Sequence, residues 1–194
     1  MSVEIAPPSY TRAVPLPARD VAAVVRQRLP GVGVKKLHKL LYYCQGHHLA
    51  TFGRPLFDET VSAWDMGPVV GSLWFDEKQT ITRSDTPPVA LSEAELNTVG
   101  YVLSRYGRLS GRDLEVLSHG EDPWIRANRL RRPGESARIE LEWMRSFFAS
   151  ADDDDDIPLD SDLVAAWLAG ARERSESPPV QDDLQSLRSR LERG

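Results

Sequence analysis

The sequence lacks the features of a secreted, membrane-spanning or disulfide-bonded protein. No uninterrupted apolar run approaches the ~20 residues of a membrane span. The N-terminus, with Glu4, Pro7 and Pro8, lacks the basic-then-apolar order of a signal peptide. Cys44 is the only cysteine, which excludes an intramolecular disulfide and a multi-thiolate zinc site. These absences predict a cytoplasmic protein without membrane association, stabilised by its apolar core.

An excess of positive charge is also missing. The formal net charge of −5 argues against nucleic acid as the main ligand, because phosphate neutralisation calls for a basic face. A local basic cluster does occur, without aromatic interleaving or a helix-turn-helix pattern, and we interpret it as a solvated face or a patch for acidic groups on a partner. Its members are Arg126, Arg129, Arg131, Arg132 and Arg138.

Length and composition predict one compact domain with flanking segments. An apolar fraction of 41% and a charged fraction of 27% are typical of soluble globular proteins. Residues 1–16 contain three prolines and no periodicity, which favours a flexible lead-in. Residues 17–149 carry the periodic apolar pattern of a folded domain. Residues 150–194 open with five consecutive aspartates, Asp152–Asp156, which indicate an acidic linker before a helical extension.

Helical periodicity dominates the central segment, so the sequence predicts a mainly α fold. The strongest signal runs from Val34 to Phe52, with Gly53 placed to close the helix in the left-handed conformation. A first helix is expected from Pro17 to Leu29, burying Val21, Val24, Val25 and Leu29. Capping boxes are predicted at Ser92 with Glu95 and at Ser110 with Asp113, and Asp122 is expected to cap the helix that Pro123 starts.

A small β-hairpin or short sheet is expected where the period changes. Within residues 55–64, Val61 and Ala63 alternate with Ser62 and Trp64, and residues 79–83 are a plausible partner strand. Gly67 and Pro68 read as a turn, after which Val69 to Phe75 is expected to form one or two helical turns.

Two segments are candidates for protein contact. Trp64, Asp65 and Met66 precede a rigid Gly-Pro pair, and this combination suits either a buried corner or an adaptable contact surface. In the extension, Leu163, Val164, Trp167 and Leu168 form an apolar stripe at helical spacing. Such a stripe either docks on a partner or packs on its own domain, and both interpretations remain open.

A catalytic interpretation is weaker. His47, His48, His119 and Glu121 are the residues from which a metal-dependent hydrolase would have to be built. Adjacent histidines diverge by ~100° on a helix, whereas two ligands on one face need a spacing of three or four. No nucleophile elbow or phosphate-binding glycine loop accompanies them. No cofactor is therefore predicted.

Several separate runs resemble the Panacea antitoxin domain, also called the SocA-like domain. They begin at Lys36-Leu-His-Lys-Leu-Leu-Tyr-Tyr-Cys-Gln-Gly46, continue through Gly53-Arg-Pro-Leu-Phe57 and Ala63-Trp-Asp-Met-Gly-Pro-Val69, and end with Ser118-His-Gly-Glu-Asp-Pro-Trp124. The resemblance covers about residues 17–149. It gives the following family-motif residues, interpreted as structural: Leu37, Lys39, Leu40, Tyr42, Gln45, Gly46, Gly67, Pro68, His119, Glu121, Pro123 and Trp124.

The resemblance implies a non-enzymatic antitoxin that holds a cognate toxin, encoded beside it, by direct protein contact, in a complex that can be oligomeric. The family pairs with unrelated toxins, including alarmone-synthetase-like and Fic-type enzymes, so the toxin's class does not carry over. One relative is an adaptor that delivers its toxin to a ClpXP-type protease, which is the alternative function for this chain.

Overall fold

The computed structural model describes residues 14–78, 89–132 and 134–150, together with Ala169. Seven helices and three short strands occur in this part of the chain. In chain order they are α1 (Ala18–Arg28), α2 (Val34–Phe52), β1 (Val61–Trp64), β2 (Gly67–Val70), α3 (Gly71–Lys78), α4 (Glu93–Tyr106), α5 (Gly111–His119), α6 (Asp122–Leu130), β3 (Ala137–Arg138) and α7 (Leu141–Ser150). The predicted mainly α fold with a small sheet is confirmed.

Helix α2 is the centre of the domain, as its periodicity predicts. It contacts α1, α4, α5, α7 and strand β2, and Leu37, Leu40 and Leu41 are fully buried. Burial of each leucine contributes roughly 1.5 to 3 kcal/mol. Gly53 ends the helix with φ of +67° and ψ of +10°, the left-handed conformation expected of it. Because almost every side of α2 is covered, its polar side chains also lie inside the protein.

Helix α1 begins next to Pro17, as the sequence predicts. Pro17 occupies the N-cap with extended backbone, and the helix starts at Ala18. Val21 and Val25 are buried, while Val24 and Leu29 are only partly covered. Leu16, the last residue of the expected lead-in, is fully buried and its N–H donates to Leu56 O at 3.0 Å. Packing of the domain therefore includes Leu16, and residues 1–13 lie outside the described part of the chain.

The sheet differs from the sequence-based expectation. Strand β1 pairs antiparallel with β2 on one side and β3 on the other. Gly67 and Pro68, which were expected to form the turn, lie in β2, and the turn is Asp65–Met66. Val69 and Val70 are strand residues, so the helical segment begins at Gly71. The predicted partner strand at 79–83 lies outside the described residues.

The capping predictions are confirmed for two helices and wrong for a third. Ser92 with Glu95 and Ser110 with Asp113 form reciprocal capping boxes on α4 and α5. On α6 the N-cap is Glu121, without a side-chain capping bond, and Asp122 is already inside the first turn. Glu121 does not cap because its carboxylate is bound by two tyrosines. No helix in the described residues is long and apolar enough to cross a membrane.

Candidate protein-binding surface

The β1–β2 hairpin turn rests directly on the helical core. Gly67, which follows the turn, has φ of +93°, a conformation that strongly favours glycine. A Cβ at Gly67 would lie 2.8 Å from Lys39 Cε and 3.0 Å from Ser118 Oγ. The backbone of the hairpin therefore approaches α2 and α5 more closely than any residue with a side chain would allow.

Helix α2 supplies hydrogen bonds to the outer edge of β2. The Pro68 carbonyl accepts from Lys39 Nζ at 3.0 Å, and the Val70 N–H donates to His38 Nδ1 at 3.3 Å. Alternate residues of an antiparallel strand turn their backbone groups away from the paired strand, and these two groups would otherwise be left unpaired inside the protein. Lys39 and His38 therefore fix the position of the hairpin.

Burial changes the protonation of both groups. Loss of solvation lowers the pKa of Lys39 to about 7, although nearby Glu115 opposes the change. Loss of solvation also lowers the pKa of His38 to about 4, and the charges of Lys39 and Arg26 act in the same direction. His38 is therefore a neutral imidazole at pH 7, and it can accept the Val70 hydrogen bond.

The hairpin and α3 together expose an aromatic surface. Trp64 packs edge-on against Trp74 with ring centroids 5.9 Å apart, and its ring lies 6.2 Å from that of Phe75. Phe75 is 56% exposed and Met66 at the turn is 41% exposed. We call the set Trp64, Asp65, Met66, Trp74 and Phe75 the hairpin surface. The sequence analysis did not identify Trp74 and Phe75 as contact residues. Their signal in the sequence is weak, because they are two adjacent aromatic residues on a short helix that lacks a strong apolar stripe.

A salt bridge joins the hairpin turn to Arg131, the C-cap residue of α6. Asp65 Oδ1 accepts from Arg131 Nη2, and the side chain of Asp65 is 77% exposed whereas that of Arg131 is 11% exposed. Arg131 was predicted as part of a solvated basic cluster, so its burial corrects that expectation. The exposed Arg126 and Arg138 do pair with acidic neighbours of this chain, Asp122 and Glu140 respectively.

The two adjacent tyrosines of α2 bind one carboxylate. Tyr42 Oη donates to Glu121 Oε2 at 2.7 Å, and Tyr43 Oη donates to Oε1 at 2.9 Å. Burial raises the pKa of both tyrosines well above the usual value, and the negative charge of Glu121 adds to the rise. The two hydroxyls remain protonated donors that attach α6 to α2.

Gln45 and Gly46 also connect α2 to its neighbours. Gln45 Nε2 donates to Phe57 O at 3.0 Å, and its Oε1 accepts from Leu56 N at 2.8 Å. At Gly46, an added Cβ would lie 2.1 Å from Phe148 Cε2, so the absent side chain is what admits the ring of α7. Both residues act by shaping the core.

The other family-motif residues lie in the interior. His119 stacks on Trp124 with ring centroids 4.0 Å apart and 18° between the planes, and Pro123 is buried beside them. Burial lowers the pKa of His119 to about 4. The stacked pair fills the contact between α5 and α6.

The structure does not bring the hydrolase candidates together as a metal site. His47 Nε2 lies 3.1 Å from Tyr106 Oη, and His48 Nδ1 lies 2.9 Å from Thr98 Oγ1. Because the Thr98 hydroxyl donates to Ala94 O, it accepts from His48, whose proton is therefore on Nδ1. Across the described ranges, no group of three or more His, Cys, Asp or Glu residues is placed to hold a metal ion. Each candidate is committed to a different neighbour.

The predicted contact residues divide between two regions. Trp64, Asp65 and Met66 lie together at the end of the hairpin, with Asp65 and Met66 exposed and Trp64 partly covered. Leu163, Val164, Trp167 and Leu168 lie outside the described residues. The described part of the candidate site is therefore the hairpin surface.

Comparison with known proteins gives one family-level similarity. Residues 37–125 match the family model described as "Antitoxin SocA-like, Panacea domain". Searches of curated proteins and of solved structures gave no significant match. The matched range contains most of α2, the hairpin, α3, α4, α5 and the start of α6, and it includes every family-motif residue described above. Over residues 37–125 this chain is therefore similar to the SocA-like Panacea domain family.

Proposed function

We propose that this chain is an antitoxin that neutralises a cognate toxin, encoded beside it, by direct binding through the hairpin surface. The family assignment supports an antitoxin-like role. The single observation that supports the location is the exposure of Met66 on the anchored hairpin and of Phe75 on α3, whose ring lies 6.2 Å from that of Trp64. Aromatic side chains and methionine are enriched at protein interfaces, and Met adapts to a partner's shape.

The rigidity of the base favours binding over internal packing for this surface. Lys39 and Ser118 occupy the space that a side chain at position 67 would need, and the outer edge of β2 is bonded to His38 and Lys39. A surface that is already ordered loses little conformational entropy on association, so more of its contact energy appears as affinity. The hairpin is thus a suitable platform for a toxin.

The proposal includes no catalytic step by this chain. Three polar side chains of α2 are bound to a neighbour, in the pairs Tyr42–Glu121, Gln45–Phe57 and His48–Thr98. Cys44 is buried, and the pKa of its thiol is raised by burial to about 12, so it is a thiol and not a reactive thiolate at pH 7. These groups support the shape of the domain.

The C-terminal extension is proposed as a second contact. Leu163, Val164, Trp167 and Leu168 carry an apolar stripe that can enter a groove on another protein. The toxin remains open between alarmone-synthetase-like, Fic-like and other classes. Truncation after Ser150 should reduce toxin affinity, and an unchanged affinity would restrict the interface to the folded domain.

Co-expression with the product of the adjacent gene tests the proposal. The wild type should rescue growth and co-purify with the toxin, whereas Met66→Ser and Phe75→Ser should each lower the affinity by about fivefold or more. Tyr101→Ser is a matched control, because Tyr101 is 42% exposed and lies on α4. Failure of the wild type to bind, or equal loss in the Tyr101 variant, would contradict the proposal.

The toxin level in the co-expressing cells shows whether the toxin is held inactive by binding or is delivered to a protease. Under the proposed mechanism the toxin stays at its normal level and is inactive. If the toxin disappears only when this protein and a ClpXP-type protease are both present, the chain is an adaptor and direct neutralisation is wrong.

A further inference from the structure

Arg131 is a partly buried arginine whose side chain is 11% exposed, and each of its guanidinium nitrogens has a partner. Nε donates to Asn128 Oδ1 at 3.0 Å, Nη1 donates to Glu135 O at 3.1 Å, and Nη2 binds Asp65 Oδ1. The first two partners are close to Arg131 in sequence, Asn128 in the last turn of α6 and Glu135 between α6 and β3. Asp65 lies 66 residues away, in the hairpin turn.

We infer that Arg131 is a positioning residue that holds the Asp65–Met66 turn in a single conformation before a partner binds. The guanidinium is immobilised by Asn128 and Glu135 whether or not Asp65 is present. The donor to Asp65 is therefore already ordered, so forming this ion pair costs little side-chain entropy. In an ordinary surface ion pair both long side chains are flexible, and ordering them offsets most of the attraction. The bond fixes the turn that carries Met66 and adjoins Trp64.

A role for Arg131 in binding an anionic ligand fits the geometry less well. Only 11% of its side chain is exposed, and its three nitrogens are engaged within the domain. Arg138, in the same basic cluster, has 57% of its side chain exposed. Its guanidinium forms a salt bridge with its near neighbour Glu140. Arg138 is therefore a surface arginine, whereas Arg131 connects the hairpin turn to the end of α6.

The consequence for binding follows from the population of the ordered turn. When only a fraction of molecules has the competent conformation, the apparent dissociation constant rises by the inverse of that fraction. A turn freed from Arg131 and competent one-tenth of the time would bind about tenfold more weakly. This step rests on the proposed function, whereas the ordering of the turn does not.

The ordering can be tested without a toxin by hydrogen exchange of the full chain. Arg131→Gln and Asp65→Ala should each increase exchange of the amides at residues 65–67 by about tenfold, with α2 unchanged. Asp65→Ala removes the acceptor on one exposed side chain, so it keeps the test valid if Arg131→Gln unfolds the segment after α6. Unchanged exchange in the Asp65 variant would overturn the inference.

Affinity for the adjacent gene product supplies the second measurement. Arg131→Gln and Asp65→Ala should each weaken binding by about tenfold, and the double variant should be no weaker than either single one. Arg131→Lys should behave like Arg131→Gln, because one ammonium cannot hold three separated acceptors. Arg138→Gln should bind within twofold of the wild type.

The outcomes separate the two proposals. Wild-type binding by Arg131→Lys would mean that charge alone matters, and it would overturn the positioning role. Additive losses in the double variant would do the same. If the wild type binds no toxin, the proposed function fails, and hydrogen exchange alone decides the role of Arg131.

Discussion

Replacement of Gly46 by alanine should destabilise the domain, although the same change normally favours a helix. Within a helix interior, alanine is about 1 kcal/mol more favourable than glycine. At Gly46 the new Cβ would lie 2.1 Å from Phe148 Cε2 and 2.2 Å from Cδ2, whereas carbon atoms in contact are about 3.5 to 4 Å apart. The ring would have to move by more than about 1 Å.

The surroundings of Phe148 resist that movement. Its ring lies 5.5 Å from that of Tyr42 and 4.7 Å from that of His47, and the residue is only 6% exposed. Overpacking of this kind costs typically about 1 to 3 kcal/mol. We expect Gly46→Ala to lower the free energy of unfolding by about 1 to 2 kcal/mol after the gain in helix propensity.

Urea unfolding followed by circular dichroism measures the effect. Gly100→Ala is the matched control, since Gly100 is also inside a helix and its added Cβ meets only Arg28 Nη1, at 3.3 Å, on an exposed side chain that can move. The control should be neutral or up to about 1 kcal/mol more stable. In a Phe148→Leu background the cost of Gly46→Ala should shrink by at least about 1 kcal/mol. Equal stability of the two alanine variants, or an unchanged cost without the ring, would refute the reasoning.

Three further predictions concern the buried polar groups. The pKa of Lys39 is about 7 in the folded state and near 10.5 in the unfolded state, so the unfolded chain binds more protons between these pH values. The free energy of unfolding should therefore rise from pH 7.5 to 9.5. Lys39→Met should remove most of that rise. The pKa values of all four histidines are lowered to about 4 by burial, so stability should fall as pH drops from 6.5 towards 4, and no histidine resonance of the folded protein should titrate near pH 6.5. Glu121→Ala leaves two buried tyrosine hydroxyls without their acceptor and should cost about 2 kcal/mol or more, whereas Tyr42→Phe should cost about 1 kcal/mol, both measured by urea unfolding.

The sequence predicts the helices well because their signals are local. The period of α2, the left-handed Gly53 and the capping boxes at Ser92 and Ser110 each depend on residues within a few positions of one another. The motif runs also predict the domain family by resemblance, and the family-model match over residues 37–125 supports that prediction. These features need no knowledge of the tertiary structure.

The errors arise where distant residues decide the local structure. A Gly-Pro pair ordinarily marks a turn, yet Gly67 and Pro68 are strand residues here, because Lys39 and Ser118 leave no room for a side chain at Gly67 and Lys39 binds the Pro68 carbonyl. Asp122 looked like a helix cap, and Glu121 takes that position instead. The hairpin surface was found only in part, since Phe75 joins Trp64 through the fold and not through sequence spacing.

The same residues explain why so many polar side chains lie on the central helix. A short hairpin has an outer edge whose unpaired backbone groups would be costly inside a protein. His38 and Lys39 bind that edge from adjacent positions of α2, and the partly neutral lysine avoids most of the cost of burying a charge. The hairpin can therefore be short and still rigid, because α2 fixes the base while Arg131 holds the turn. A surface held at both ends can present exposed aromatic residues in one arrangement, which is what recognition of a single partner requires.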